Sequence, residues 1–157
     1  MEFSNERLVQ WMSTTLDKAW SGVADGENPF AASVYSPNRD LVACEHNTAR
    51  GQTQPSRHGE VNAIDRACQE LGTTDLSGCV LVSTGEPCPM CTSAALLAKI
   101  DIIVFGAGCD VVAKSGYGGL GIGCEELIEV SNAHATVIGG IAKQQCEKLL
   151  LDNSKDG

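Results

Sequence analysis

No stretch of this sequence approaches the ~20 consecutive apolar residues that a membrane-spanning helix needs. The start, Met1 to Gln10, lacks the look of a secretory leader, because Glu2, Glu6 and Arg7 come before any apolar run. Basic residues are scarce. There are 11 Lys and Arg against 20 Asp and Glu, a formal net charge of −9. They do not cluster, and Arg50 and Arg57 are the nearest approach to a patch. A polyanionic partner needs a basic footprint, so this surface suits a small, nearly neutral substrate better than tRNA or DNA. No G-x-x-x-x-G-K loop is present to cradle a phosphate. Internal repeats and low-complexity tracts are missing too. The expectation is a cytoplasmic protein with neither a membrane nor a nucleic-acid partner.

What is present is ordinary for a globular chain: 157 residues, 43% hydrophobic and 20% charged. That length suits one domain spanning 1–157 with a core of its own. The eight cysteines would suggest disulfides in a short secreted chain. In a reducing cytosol most are expected to be small buried apolar residues. Cys88 and Cys91 are the exceptions.

Apolar periodicity predicts a first helix from Asn5 to about Gly22, capped by Ser4, with Leu8, Trp11, Met12, Thr15, Leu16 and Ala19 on one stripe. Trp11 and Trp20 are read as core or interface. Ala31–Tyr35 and Leu41–Glu45, separated by Ser36-Pro37-Asn38-Arg39-Asp40, form a hairpin pattern. A polar loop, Asn47 to Arg57, leads to a second helix starting near His58. Ser56 is its candidate cap, Val61 to Leu71 its apolar stripe, and Gly72 its stop. A strand at Cys79–Ser83, a helix at Pro87–Lys99 with Leu97 facing inward, and a strand at Ile102–Phe105 follow. Residues 107–123 are rich in glycine and give no clear element. A short helix at Glu125–Glu129, a fifth strand at Ala135–Ile138 and a closing helix at Ala142–Leu151 complete the chain. Strands alternating with helices predict an α/β fold, three layers (α/β/α) around a five-stranded mixed sheet.

The chemistry sits at the junctions of these elements. His58-Gly59-Glu60 opens the second helix and Pro87-Cys88-Pro89-Met90-Cys91 opens the third. Zinc favours thiolate and imidazole ligands in tetrahedral geometry. Two cysteines three apart at a helix start can reach one ion, and the helix dipole favours their thiolates. His58, Cys88 and Cys91 make three ligands, which leaves a fourth position for water, the catalytic arrangement. Zinc lowers the pKa of such a water to roughly 7. Glu60, two residues beyond His58, is placed to move protons between water, ring and leaving amine. Together these groups supply what is needed to add water to a C=N carbon bearing an amine and release ammonia.

With H-x-E followed by P-C-x-x-C, and 27 residues between Glu60 and Cys88, the sequence resembles the cytidine deaminase superfamily of zinc deaminases. The resemblance runs from Asn28-Pro29-Phe30 to the final helix. It is nearest to the branch of bacterial guanine deaminases, yeast-type cytosine deaminase and tRNA adenosine deaminases. Glu86-Pro87-Cys88-Pro89-Met90-Cys91 reads like the guanine deaminase version. Glycine in the middle of His58-Gly59-Glu60 is the cytosine deaminase spelling, where the others usually have alanine.

The resemblance implies a cytidine deaminase-like fold, a zinc cofactor, a nucleobase or analogue as substrate, and a homodimer. It implies that Asn47 hydrogen-bonds the base, that the backbone of Glu86 and Cys88 contacts the reacting amine and the oxygen, and that Phe30 lines the pocket. Relatives close the pocket with an aromatic or acidic tail residue. Leu151 to Gly157 holds no aromatic, so Asp110, Tyr117, Glu125 and Glu126 are the candidates here.

Blander readings compete at several positions. A lone C-x-x-C also fits a redox pair or half of a structural zinc site. Asn47 by itself fits a turn, and Phe30 fits the core. His46 and His134 are read as surface or core histidines. The first expectation is guanine deamination, with cytosine or an s-triazine-type base next. A tRNA adenosine deaminase and a non-catalytic zinc scaffold are the alternatives.

Overall fold

The computed structural model describes residues 3–155; Glu2 of the N-terminal reading and Asp156 and Gly157 of the tail lie outside the described residues. Helix α1 spans Asn5–Ala24, two residues longer than its apolar pattern predicts. Ser4 caps it, its side chain accepting the Arg7 N–H at 3.1 Å. Strands β1 (Ala31–Tyr35) and β2 (Leu41–His46) form the expected hairpin. A short helix, α2 (Ala49–Gln52), interrupts what reads as plain loop.

Helix α3 spans Gly59–Leu71, and His58, not Ser56, occupies its N-cap position. Strand β3 (Val80–Gly85) leads into α4 (Pro89–Leu97), which starts later than expected, with Cys88 as N-cap and Pro89 in the first turn. Strand β4 (Ile102–Ala107) follows. The glycine-rich segment contains α5 (Cys109–Val112), running into a π-helical turn over Ala113–Tyr117. Helix α6 (Cys124–Val130), strand β5 (Thr136–Ile138) and helix α7 (Lys143–Asp152) finish the chain.

The sheet is mixed, in the order β2-β1-β3-β4-β5. β1 is antiparallel to β2 and β3, while β3, β4 and β5 run parallel. The core divides on its two faces. Ala31, Tyr35, Val80, Val82 and Val104 face α1 and α7. Ala32, Val34, Leu81 and Ile103 face α3 and α4. Every residue of β1 and β3 is buried, as central strands covered on both sides require. The three-layer expectation therefore holds.

Ser33 is the one polar residue inside β1. Its hydroxyl lies 2.6 Å from that of Thr15, which in turn donates to Trp11 O at 2.8 Å. Trp11 is core, stacked on Tyr35 with ring centroids 4.1 Å apart. Trp20 is exposed instead. Leu97 does not face inward: it is 83% exposed, and Leu71 is exposed as well. Both sit in the last turn of short helices, where the apolar pattern outlasts the packed face.

Candidate active site

Two helices begin on the same side of the sheet, one delivered by the β2 hairpin arm and one by central β3. Their first turns carry the chemistry. His58 stands at the N-cap position of α3 and Cys88 at that of α4, each with extended backbone, φ −68° and −69°, and neither side chain bonds its own helix, so both are left to the cluster. Thr92 steadies the second turn: its N–H reaches Cys88 O at 2.8 Å and its hydroxyl Pro87 O at 3.2 Å.

This brings His58, Cys88 and Cys91 together. The His58 Nδ1 lies 3.4 Å from Cys91 Sγ and 3.7 Å from Cys88 Sγ. All three donor atoms fall within 4.8 Å of one another. A tetrahedral ion with bonds of ~2.0–2.3 Å spaces its nitrogen and sulfur ligands about 3.5–3.8 Å apart. The triangle fits zinc. Among the described residues no fourth His, Cys, Asp or Glu joins the group.

The titration of the cluster is shaped by its own contacts. The Cys88 thiol is held down to about 4, first by the hydrogen bond from Cys91 and then by His58. Cys91 is pushed up, because it shares its proton with Cys88 and is buried. The His58 imidazole is raised by its bond to Cys88. Glu60, only 5% exposed, has its carboxyl pushed up to about 7 by burial, with His58 opposing the shift. Its environment thus keeps both protonation states within reach near neutral pH.

Gly59, between His58 and Glu60, packs against bare backbone. A Cβ there would stand 2.9 Å from Ala31 Cα and 3.1 Å from Glu45 O. Neither atom can yield without moving the hairpin. Gly59→Ala is therefore expected to destabilise the fold by about 1–3 kcal/mol and to displace His58 and Glu60. Activity of the zinc-loaded variant should fall about 10–100-fold; a melting curve and steady-state kinetics check both.

The structure positions the remaining candidates unequally. Asn47 is 3% exposed, and its Oδ1 accepts the Ala49 N–H at 2.9 Å, so its carbonyl is held and its amide nitrogen is directed elsewhere. The Asn47 N–H reaches Phe30 O at 2.9 Å, which joins these two residues. Phe30 lies against Gly85 and meets Tyr117 edge-on at 5.3 Å. The Glu86 N–H donates to Ala107 O at 2.8 Å, which fixes the backbone between β3 and α4.

Among the pocket-closing candidates, Tyr117 alone reaches this wall. Its hydroxyl donates to Asn153 O, and the Lys155 ammonium sits 5.0 Å over its ring. Asp110, Glu125 and Glu126 are exposed on short helices. A surface cleft edged by Asn28, Arg50, Tyr117 and Lys155 opens beside the tail, and no residue of the metal triangle lines it. His46 is structural: its ring packs on Gly22 and bonds Asn47 O at 2.7 Å.

Asn62 was not legible in the sequence. One turn into α3, its amide donates to His46 O at 3.1 Å and Thr48 Oγ1 at 2.9 Å, tying the Asn47 loop to the metal-bearing helix. Glu27 does related work, accepting the Arg50 and Gly51 N–H groups at 3.0 and 2.9 Å. A single amide or carboxylate in an otherwise polar stretch leaves no periodic trace.

Comparison with known proteins follows the same lines. The model of the cytidine and deoxycytidylate deaminase zinc-binding region matches residues 5–107. The chain is 36% identical over 146 residues to a tRNA(Ile)-lysidine synthase of Deinococcus deserti, covering 92% of this chain but 26% of that protein. It thus spans about a quarter of that relative's length. It is 33% identical over 140 residues to the tRNA-specific adenosine deaminase of Bacillus subtilis, covering 89% of this chain and 84% of the relative. The guanine deaminase structure from Nitrosomonas europaea superposes with a TM-score of 0.82 at 26% identity, covering 98% of this chain and 86% of the other. Zinc is the cofactor of this region, and the donor triangle is suited to it. With that match over most of its length, the chain belongs to the family defined by the cytidine and deoxycytidylate deaminase zinc-binding region.

Proposed function

We propose that this chain hydrolyses the exocyclic amine of a free nucleobase or close analogue, with guanine the first candidate. The observation that carries the reading is the buried Glu60 carboxyl beside the three converging donors His58, Cys88 and Cys91. His58, Cys88 and Cys91 would hold zinc. When bound, zinc acts as a Lewis acid that makes water a competent nucleophile near neutral pH.

Glu60 accepts a proton from the attacking water and gives it to the ring nitrogen beside the reacting carbon. The water oxygen bonds to that carbon. Glu60 then carries the second water proton to the amine, the C–N bond breaks with its electron pair leaving on nitrogen, and ammonia departs as the carbonyl forms. The Asn47 amide, fixed through its carbonyl by Ala49, presents its N–H₂ to an acceptor on the ring. Phe30 forms an apolar wall, and the Glu86 carbonyl accepts from the amine.

A small base is favoured over a polyanion by the net charge of −9. The second reading, adenosine in tRNA, is supported by the 33% identity to the Bacillus subtilis enzyme. We place the protein in the cytoplasm as a homodimer, a setting in which its eight free thiols persist.

The test is ammonia release by zinc-loaded protein from guanine, cytosine, adenine, isocytosine, ammeline, guanosine and cytidine. Turnover of guanine above all others is the expected result. Turnover of cytosine or ammeline alone would move the substrate to the pyrimidine or triazine class. Silence with every compound, together with tRNA retention that weakens steeply with salt, would replace the free base by tRNA.

A further inference from the structure

The Glu86 side chain does something its place in the zinc motif does not explain. Its Oε1 accepts the Cys109 N–H at 3.0 Å, and its Oε2 accepts the Cys124 N–H at 2.8 Å. One carboxylate thus holds both ends of the segment 109–124. That segment is the glycine-rich stretch that follows β4 and runs into α6; its middle is tied to the tail and the α1/α7 core through Ser115, Tyr117 and Val111, while its two ends are held by Glu86. Residues 118–122 are exposed, Gly116 and Gly121 adopt φ of 87° and 77°, and only Ser115 and Cys124 are fully buried.

The segment meets the C-terminal tail, where Lys155 N–H reaches Ser115 O at 3.0 Å and the Tyr117 hydroxyl donates to Asn153 O, and it also meets the candidate site. Val112 packs at Gly85, where a Cβ would lie 3.4 Å from its Cγ2. Tyr117 meets Phe30 edge-on at 5.3 Å. Gly119 runs beside Cys88, where a Cβ on it would stand in ordinary contact 3.8 Å from Cys88 Cβ. Space at the clamp is tight: a Cβ on Gly123 would come 3.0 Å from Glu86 Oε2.

We infer that Glu86 is a positioning residue whose carboxylate clamps segment 109–124 against the zinc motif, so that the segment forms a fixed wall of the substrate site. The chemistry is specific to a carboxylate. Two backbone N–H groups from opposite ends of one segment need two acceptor oxygens on one side chain, and bonds from N–H to an ionised acceptor are about twice as strong as neutral ones. A glutamine keeps the shape and one acceptor but turns an N–H₂ donor toward the other N–H. An aspartate is one methylene too short to reach both.

The inference deepens the proposed function and rests on it only for the substrate arm of its test. Amide hydrogen exchange and steady-state kinetics are compared for the zinc-loaded parent, Glu86→Gln and Glu86→Asp. Expected is exchange at Cys109 and Cys124 that is roughly tenfold to hundredfold faster, since losing a bond to a charged group is worth about one to two decades. Exchange in α1 and the sheet stays as in the parent, and zinc content is retained. The kinetic loss falls mainly on KM, which rises about tenfold, with Glu86→Asp intermediate.

Unchanged exchange at both amides would overturn the clamp. Faster exchange with an unaltered KM would overturn the wall. A uniform rise across the whole chain would show Glu86 supporting the core instead, and would also overturn it. If the parent turns over none of the bases, the proposed function fails, while the exchange result still decides the clamp.

Discussion

Glu60→Gln should leave zinc bound and lower kcat/KM about 10²–10⁴-fold, the usual contribution of a positioned general acid–base group. The substitution keeps the size of a side chain that is 5% exposed, so the fold has no cavity to absorb. What disappears, on the proposed function, is the proton carrier. Glutamine can neither accept the proton of water nor hand it to a leaving amine. Burial raises the native carboxyl above the usual carboxylate range. Zinc content by metal analysis and ammonia release with the best base of the panel give the result directly. Loss of zinc in this variant, or turnover within a few-fold of the parent, would remove Glu60 from the proton path.

Cys91→Ala should do the opposite. Zinc no longer stays bound through gel filtration, and activity falls to the uncatalysed background, a drop of at least ~10⁶-fold. The fold itself survives, since deleting one buried sulfur costs about 1 kcal/mol. Cys79→Ala is the matched control. Cys79 is as buried as Cys91 but belongs to the core beneath α3 and α4 and takes no part in the donor triangle. It should lose similar stability and no zinc. Equal zinc loss in both variants would mean that packing, not ligation, holds the ion.

These two experiments rest on residues that the sequence displays openly. A ligand pair spaced as Cys-x-x-Cys and a His-x-Glu are local, and each sits at a helix start that Pro89 and the apolar stripes mark. The α1 stripe and the β1–β2 hairpin were legible for the same reason: a repeat of 3.6 or 2 residues reports which face is buried. Legibility failed at element ends. His58 replaced Ser56 as the α3 cap, and Leu97 turned outward, because termini are settled by tertiary contact and not by period.

The site shows the same division. That Asn47 stands in a turn is written in its residue type, and the structure confirms the turn through Ala49 N. That Asn62 ties this turn to α3, and that Gly59 must lack a Cβ because Ala31 Cα is 2.9 Å away, are written nowhere locally. Glu86 is the sharpest case. Its motif suggested a backbone contact to substrate, while its side chain reaches Cys109 and Cys124.

The sequence by itself determined the family, the zinc-type donor set and the alternation of strands and helices. All three follow from residue identities at short, fixed spacing. Tertiary structure alone decided that His58 and Cys91 stand 3.4 Å apart, that Glu60 is buried, and that one carboxylate gathers the glycine-rich segment. Those facts depend on segments far apart in the chain being folded together at the C-terminal ends of β3 and β4. The free energy that brings them there comes from apolar burial on both faces of the sheet, which leaves no local mark at the residues it brings together.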